Sequence, residues 1–255
     1  MRVKMTIAYN GADFFGSQVQ KETDQTVNGT IENALRQLRI EEKVTASGRT
    51  DRGVHATRQV LHFDLPPFWN NLEKLKKNLK RMLPKSIAIR RLEKEDDSFH
   101  ARYSARKRAY RYLLSTQTPN PFLADLVTYV DTLDEEKIRE AIKLFEGVHD
   151  FEYFKKNGSD TTSFVREVYK TRVYNHKGCT VLYFEANGFL RSQIRLMVGF
   201  LLEISAGRYT ADDLKAQLAK EKQFKLKPAP HEGLYLCNIK YPNPIKVSAK
   251  RTSKQ

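Results

Sequence analysis

The segment 47–56 holds the residues of this sequence best suited to catalysis. It reads Ser-Gly-Arg-Thr-Asp-Arg-Gly-Val-His-Ala, and two glycines allow the backbone to turn sharply around a single carboxylate, Asp51. Arg49 and Arg52 flank Asp51, and nearby cations favour the ionised form of a carboxylate. An ionised, positioned aspartate can act as a nucleophile or a base. The alternative is a surface loop in which Asp51 caps a turn or pairs with an arginine.

A second cluster, at residues 99–112, contains five cations and no acidic residue. In a strand, alternation places Arg106, Arg108, Tyr110 and Tyr112 on one face. Cations that contact phosphates, beside aromatic rings that stack on bases, are typical of RNA binding. The alternative is a solvated edge strand whose tyrosines belong to the core.

A third candidate, Arg195, lies on a helix expected over about 190–206 that is apolar nearly all round. A charge in such a helix is costly unless it is paired, so Arg195 requires a carboxylate or phosphate partner. The alternative is that its side chain reaches the solvent at the edge of the helix.

The elements that must position these residues follow one order twice. The first half predicts strands near 2–9, 43–47, 58–65 and 86–92, with helices from Thr26 to about 38 and near 72–82. The second half predicts strands near 105–115, 165–175, 179–187 and 234–241, a helix ended by Gly147, the helix of about 190–206, and a short helix from Thr210. Each half reads β-α-β-β-α-β, the ferredoxin-like order.

This order predicts an α+β protein with two ferredoxin-like domains. We expect an N-terminal domain over 1–98 with the Asp51 loop, a C-terminal domain over 99–245, and a basic flexible tail over 246–255.

The charge of the chain favours a polyanionic partner. Its 255 residues include 45 Lys and Arg against 30 Asp and Glu, a net charge of +15. Charge alone does not separate RNA, DNA and an anionic membrane, and it can also serve solubility only. No apolar stretch has the length of a membrane span and no signal peptide is visible, so we expect a cytoplasmic protein without membrane contact.

No pattern in the sequence predicts a cofactor or a metal. The Gly48–Gly53 spacing superficially resembles a phosphate-binding loop but lacks the Lys-Ser/Thr that would follow. The six histidines form no His-x-x-x-His pair, and the two cysteines form no Cys-x-x-Cys. We therefore expect neither a metal nor a small-molecule cofactor.

Taken together, three segments resemble the tRNA pseudouridine synthase A family. They are residues 47–56, residues 99–105 (Phe-His-Ala-Arg-Tyr-Ser-Ala) and residues 189–195 (Phe-Leu-Arg-Ser-Gln-Ile-Arg). The resemblance extends from the first strand to His-Glu-Gly-Leu-Tyr at 231–235. Two positions depart from the family pattern: Ser17 stands where a Trp is frequent, and Leu196 stands where an Asn is frequent.

The resemblance implies that the antiparallel sheets of the two domains join around a central RNA-binding cleft. It implies a homodimer that binds tRNA and isomerises uridine to pseudouridine at positions 38 to 40 of the anticodon stem-loop, without a cofactor. It implies that Asp51 is the catalytic aspartate and that Arg195 pairs with it. It further implies that Arg49 helps to displace the target base and that Tyr110 lies against the flipped uracil.

Two other functions are compatible with the residues. One is a non-catalytic RNA-binding or chaperone protein on the same fold. The other is a nucleic-acid hydrolase that uses Asp51. Analysis of the RNA product separates them, because an isomerase leaves the mass and length of the RNA unchanged.

Overall fold

One sheet of ten strands joins the two halves of the chain. The computed structural model describes residues 1–156, 158 and 161–242, so the predicted tail over 246–255 lies outside the described residues. The strands are β1 Arg2–Tyr9, β2 Thr45–Ala46, β3 His55–Asp64, β4 Ile87–Lys94, β5 Lys107–Ser115, β6 Thr128–Tyr129, β7 Gly147–Asp150, β8 Val165–His176, β9 Cys179–Ala186 and β10 Leu234–Lys240. The helices are α1 Val27–Gln37, α2 Leu72–Met82, α3 Glu135–Ala141, α4 Gln193–Ser205 and α5 Ala211–Leu218.

The strand order confirms the α+β prediction of two ferredoxin-like units. The main path of the sheet runs β4-β1-β3-β10-β5-β9-β8-β7, with β2 on β3 and β6 on β5. Each unit thus has its fourth, first, third and second strands in that spatial order, β4-β1-β3-β2 and β10-β5-β9-β8. The pairs within both units are antiparallel, whereas β3 and β10, which connect the units, pair in parallel at His55–Ala56 and Tyr235–Leu236.

Local signals in the sequence explain where the helices begin. Thr26 caps α1 by accepting a hydrogen bond from the backbone N–H of Gly29, and Thr210 forms a reciprocal capping box with Asp213 at α5. Most residues of α4 are buried, as its apolar composition predicts. α1 packs against α2, and α3 packs against α4.

The structure adds two short strands that the sequence does not predict. Gly147, predicted to end a helix, begins β7; α3 ends at Ala141 and a 3-10 turn, Ile142–Phe145, follows it. The other addition, β6, has two residues. Strands this short contain too few residues for a detectable alternation. None of the helices within the described ranges is long and apolar enough to cross a membrane.

Candidate active site

The loop that carries Asp51 connects β2 to β3 and is held by the first strand and the segment after it. The Tyr9 hydroxyl lies 2.8 Å from Thr50 Oγ1. The backbone N–H of Thr50 donates to Ser17 Oγ at 2.8 Å, and the N–H of Ser17 donates to the Thr50 carbonyl at 3.1 Å. Ser17, which departs from the family pattern, is buried, and its two hydrogen bonds to Thr50 position this loop.

Two further contacts determine the path of the loop on either side of Asp51. Ser47 Oγ donates to Gln59 Oε1 at 2.6 Å, and Gln59 Nε2 donates to the Gly48 carbonyl at 2.9 Å. Gly53 has φ +75°, and a Cβ there would lie 1.8 Å from the ring of His231. A side chain at position 53 would therefore displace the loop or the histidine.

The carboxylate of Asp51 meets the start of α4, which belongs to the other half of the chain. Ser192 Oγ donates to Asp51 Oδ2 at 3.0 Å. Ser192 directly precedes α4 in the left-handed region, with φ +59°, and its side chain makes no capping bond to the helix. A hydroxyl donor and the positive end of a helix dipole both stabilise negative charge at this position.

Ser192 is a site residue that the sequence interpretation missed. A polar residue just before an apolar helix is an N-cap signal. That signal marks where α4 begins, but it does not reveal that the hydroxyl is directed to a carboxylate 141 residues away.

Tyr110 lies in β5 and is brought near Asp51. It is buried, and its ring meets Phe189 edge to face with centroids 5.3 Å apart. Burial raises the pKa of Tyr110 above its ordinary value, and nearby Tyr9 and Asp51 act in the same direction. The phenol is therefore neutral at physiological pH. Tyr110 is thus better suited to provide a flat contact surface than to act as a base.

Arg195 does not form the expected ion pair with Asp51 in the described part of the chain. Its Nε donates instead to the Ala229 carbonyl at 2.6 Å, and the N–H of Ala229 donates back to the Arg195 carbonyl at 2.8 Å. One turn further along α4, Gly199 packs against the same segment, where a Cβ would lie 2.2 Å from the Lys227 carbonyl oxygen. A role for Arg195 in catalysis stays a prediction.

Arg108, predicted to contact phosphate, is held by contacts within the protein. Its guanidinium donates to three backbone carbonyls: to Ser47 from Nε at 3.3 Å and Nη2 at 2.9 Å, to Arg102 from Nη2 at 2.7 Å, and to Asn187 from Nη1 at 3.1 Å. Burial lowers the pKa of Arg108 below its usual value. Arg108 therefore ties the Asp51 loop to two segments of the second half.

Tyr112 also belongs to the interior rather than to a binding face. It is fully buried, and its hydroxyl donates to the Pro230 carbonyl at 2.7 Å. For this residue the alternative of a core tyrosine is correct.

Arg49, Arg52 and Arg106 are exposed at the surface. Neither Arg49 nor Arg52 forms an ion pair with Asp51 among the described residues, and the Arg52 guanidinium lies 4.3 Å from the centre of the Phe15 ring. Arg106 likewise has no ion pair within the described ranges. Arg49 and Arg106 are therefore available to an external anion.

His55, in the Asp51 loop motif, connects the two halves. Its Nδ1 accepts from the Gly11 N–H at 2.9 Å, its Nε2 lies 3.1 Å from the Glu232 carbonyl, and its ring stacks on Tyr235 at 4.6 Å. Burial lowers the pKa of His55, which keeps the ring neutral. A neutral ring can accept at Nδ1 and donate at Nε2 simultaneously.

The site therefore combines one carboxylate, a neutral buried phenol and exposed cations. In the described ranges, no group of three or more His, Cys, Asp or Glu side chains is placed to hold a metal ion. A positioned carboxylate beside cations is suited to nucleophilic or base catalysis on an anionic substrate.

Comparison with known proteins identifies the family of the chain. The profile of the family described as tRNA pseudouridine synthase matches residues 5–104 and 141–242. A protein of Wolinella succinogenes named tRNA pseudouridine synthase A is 42% identical over 239 residues, which cover 94% of each chain. Proteins of the same name from Helicobacter hepaticus and Geobacillus sp. are 39% and 40% identical, over 93% and 95% of this chain and 98% and 99% of theirs.

Among solved structures, one described as a Cbf5-Nop10-Gar1 complex aligns with a TM-score of 0.37 and 14% identity, over 78% of this chain and 44% of that chain. The matched profile covers more than half of the present chain, and the relatives match nearly all of it. The chain therefore belongs to the tRNA pseudouridine synthase family, a family of isomerases.

Proposed function

We propose that this protein converts uridine to pseudouridine in tRNA, at positions 38, 39 and 40 of the anticodon stem-loop. The observation that carries the proposal is the contact between Asp51 and Ser192, which holds a single carboxylate where the two halves of the chain meet. Membership in the family supports tRNA as the substrate. The choice of positions rests on the resemblance of the loop at residues 47–56.

The reaction must break the N1–C1′ bond, turn the uracil and join C5 to C1′. Asp51 can begin it by adding to C1′ as the N1–C1′ bond breaks, after which C5 bonds to C1′ and displaces the carboxylate. Alternatively, Asp51 takes a ribose proton as the uracil leaves to give a glycal, and returns that proton when C5 bonds to C1′. In both routes the C5 proton is lost and N1 gains one, so substrate and product have equal mass. Glycosidases use a second carboxylate to protonate the leaving group. One carboxylate suffices here because uracil leaves more readily than an alcohol and stays bound.

The target base must leave its helix before it can react, which costs a few kcal/mol. Arg49 is exposed and two residues from Asp51, so it suits the role of displacing the base. The neutral, buried ring of Tyr110 suits contact with the flipped uracil. Arg106 supplies a cation for the phosphates, while Arg108 supports the reaction by holding the Asp51 loop.

Arg195 is proposed to act on the charge of Asp51 once RNA is bound. It follows Ser192, which contacts the carboxylate, by three residues, and it lies in the first turn of α4. Arg195→Met should then fold and bind tRNA but lose most activity. Unfolding of this variant would make Arg195 structural, and turnover equal to that of the unchanged protein would remove it from the site.

The resemblance also supports a homodimer in the cytoplasm, without a cofactor, and domains divided near residue 98. Light scattering of the purified protein tests the dimer, and cell fractionation tests the location. Expression of residues 1–98 and 99–245 as separate chains tests the division.

The central experiment compares the unchanged protein with Asp51→Asn. Unmodified tRNA transcripts that carry uridine at only one of positions 38, 39 and 40 are incubated with each protein, and their nucleosides are then analysed. We expect pseudouridine from the unchanged protein and none above background from Asp51→Asn. Asn keeps the shape of Asp and caps turns nearly as well, so the fold should survive. Asp13→Asn, at an exposed carboxylate, is the matched control and should retain activity.

The outcomes separate the proposal from its rivals. A hydrolase would release base or shorten the RNA, and a non-catalytic binder would change neither base nor chain. Loss of activity with retained tRNA affinity identifies Asp51 as catalytic. Substantial pseudouridine from Asp51→Asn, with deamidation excluded by mass spectrometry, would overturn this assignment.

A further inference from the structure

Three neighbouring rings form a column from the core to the surface just before β5, with the first two rings tilted by 57° to each other. His62, in β3, is buried, and its ring centroid lies 4.7 Å from that of His100. His100 in turn lies 4.3 Å from the Tyr103 ring, at an interplanar angle of 32°. Tyr103 is 76% exposed although one face of its ring lies against His100. A large ring that is so exposed contributes little to the folding free energy, and its other face is open to a ligand.

The column is held by hydrogen bonds in a short turn. His100 Nδ1 lies 3.2 Å and 3.3 Å from the backbone N–H donors of Arg102 and Tyr103. The Ser104 N–H donates to the His100 carbonyl at 2.9 Å, and the His100 N–H donates to Ser104 Oγ at 3.0 Å. Because the turn is already ordered, little backbone entropy is lost when a ligand stacks on Tyr103.

The column is connected directly to the candidate active site. One nitrogen, Arg108 Nη2, donates both to the Arg102 carbonyl at 2.7 Å and to the Ser47 carbonyl at 2.9 Å. Ser47 begins the loop that carries Asp51. The exposed ring is therefore adjacent to the catalytic loop rather than on a remote surface.

The charge around the ring favours an anionic ligand. The guanidinium carbon of Arg102 lies 5.7 Å from the centre of the Tyr103 ring, and both side chains are exposed. Arg106 follows on the surface, and the whole chain has a net charge of +15. A flat aromatic surface flanked by arginines suits a base together with its phosphate.

We propose that Tyr103 is a stacking platform for an unpaired nucleobase next to the target uridine, with Arg102 on the adjoining phosphate. This proposal rests on the proposed function and extends it to a second nucleotide. Stacking accepts every base, because every base has a flat π face, so the platform should fix the position of the strand without selecting its sequence.

The test measures affinity and catalysis separately in Tyr103→Ala, Tyr103→Phe and Tyr103→Trp. We expect Tyr103→Ala to raise the Kd for unmodified tRNA by about 5- to 150-fold, the range that loss of one base–aromatic stack predicts. The rate at saturating enzyme should stay within about twofold, because the ring does not touch the carboxylate. The Phe and Trp variants should retain the affinity. Phe68→Ala, at another exposed aromatic residue, is the matched control.

A second measurement detects the stack directly. Anticodon stem-loops carry 2-aminopurine on either side of the target, and its fluorescence should fall when the unchanged protein binds and fall less with Tyr103→Ala. This readout needs no turnover. If the unchanged protein makes pseudouridine but Tyr103→Ala neither weakens binding nor changes the fluorescence, the platform is wrong and the proposed function stands. If Tyr103→Ala changes only the oligomeric state, the ring belongs to a protein interface and the platform is also wrong.

Discussion

The hydroxyl of Ser192 is the single group in the second half of the chain that holds the proposed catalytic carboxylate by a hydrogen bond among the described residues. Two substitutions remove this hydroxyl and differ in how well the new residue tolerates the backbone conformation at position 192. Ser192→Ala deletes the donor and leaves a Cβ in the left-handed region, at φ +59°. Ser192→Gly deletes the same donor, but glycine adopts that conformation without steric cost. Comparing them separates the hydroxyl from the backbone.

The expected magnitude follows from the type of bond that is lost. A hydrogen bond to a charged group contributes about 1.5–3 kcal/mol, and each 1.36 kcal/mol is tenfold in rate. If the bond serves to orient Asp51, both variants should lower kcat by about 10-fold, and by no more than about 150-fold. The KM for tRNA should change less than twofold, because the hydroxyl contacts Asp51. Ser192→Ala should be less stable than Ser192→Gly by roughly 1 kcal/mol, the steric cost of a left-handed residue with a Cβ.

Single-turnover formation of pseudouridine at saturating enzyme measures the rate, and thermal unfolding followed by circular dichroism measures the stability. Ser98→Ala, at an exposed serine, serves as the control. Rates within twofold of the unchanged protein for both variants would refute the orienting role. Loss of activity in the Ala variant alone would assign the effect to the backbone and would also refute it.

Three other outcomes are expected. Arg106→Ala should reduce the slope of log affinity for tRNA against log salt by about 0.7–0.9 without changing the melting temperature; an unchanged slope would make Arg106 an ordinary solvated residue. Arg108→Ala should lower the melting temperature and kcat more than it lowers the affinity for tRNA. Arg108→Lys should not restore the melting temperature or kcat, because an ammonium group cannot span three carbonyls as a planar guanidinium does. Normal stability of both variants would contradict the role of Arg108 in holding the Asp51 loop. Burial, followed by neighbouring charges, lowers the pKa of His62 from 6.5 to about 4. The unfolded chain therefore binds more protons between these values, and the unfolding free energy measured in urea should fall as the pH drops from 6.5 to 4. His62→Gln should flatten this fall and His176→Gln, at an exposed histidine, should not; equal slopes in all three proteins would exclude His62 as the cause.

Local patterns in the sequence were sufficient for the regular elements. The alternation in β1 and the helical spacing in α1 record which side chains are buried, because burial repeats with the geometry of the element. Thr26 and Thr210 marked helix starts correctly, since capping depends on residues only a few positions apart. The order β-α-β-β-α-β occurs twice along the chain, and this repetition was enough to predict both ferredoxin-like units. The short strands β6 and β7 were not predicted because they contain too few residues for a detectable alternation.

The chemical types at the site were also visible in the sequence. Asp51 is the single carboxylate of its loop, and the cations around it are evident from composition alone. Whether each residue acts as proposed stays a prediction until the variants are measured.

Only the tertiary structure decided which of these residues meet. Ser192 contacts Asp51 across 141 positions, while Arg195, expected to pair with Asp51, donates to the Ala229 carbonyl. Arg108 has the charge of a phosphate ligand, yet the fold surrounds it with backbone carbonyls. The physical reason is that hydrophobic periodicity reflects the solvent exposure of each side chain. Which side chains contact each other across the sheet depends instead on the order of the strands and on where the helix ends are packed. Neither of these leaves a pattern within a single segment.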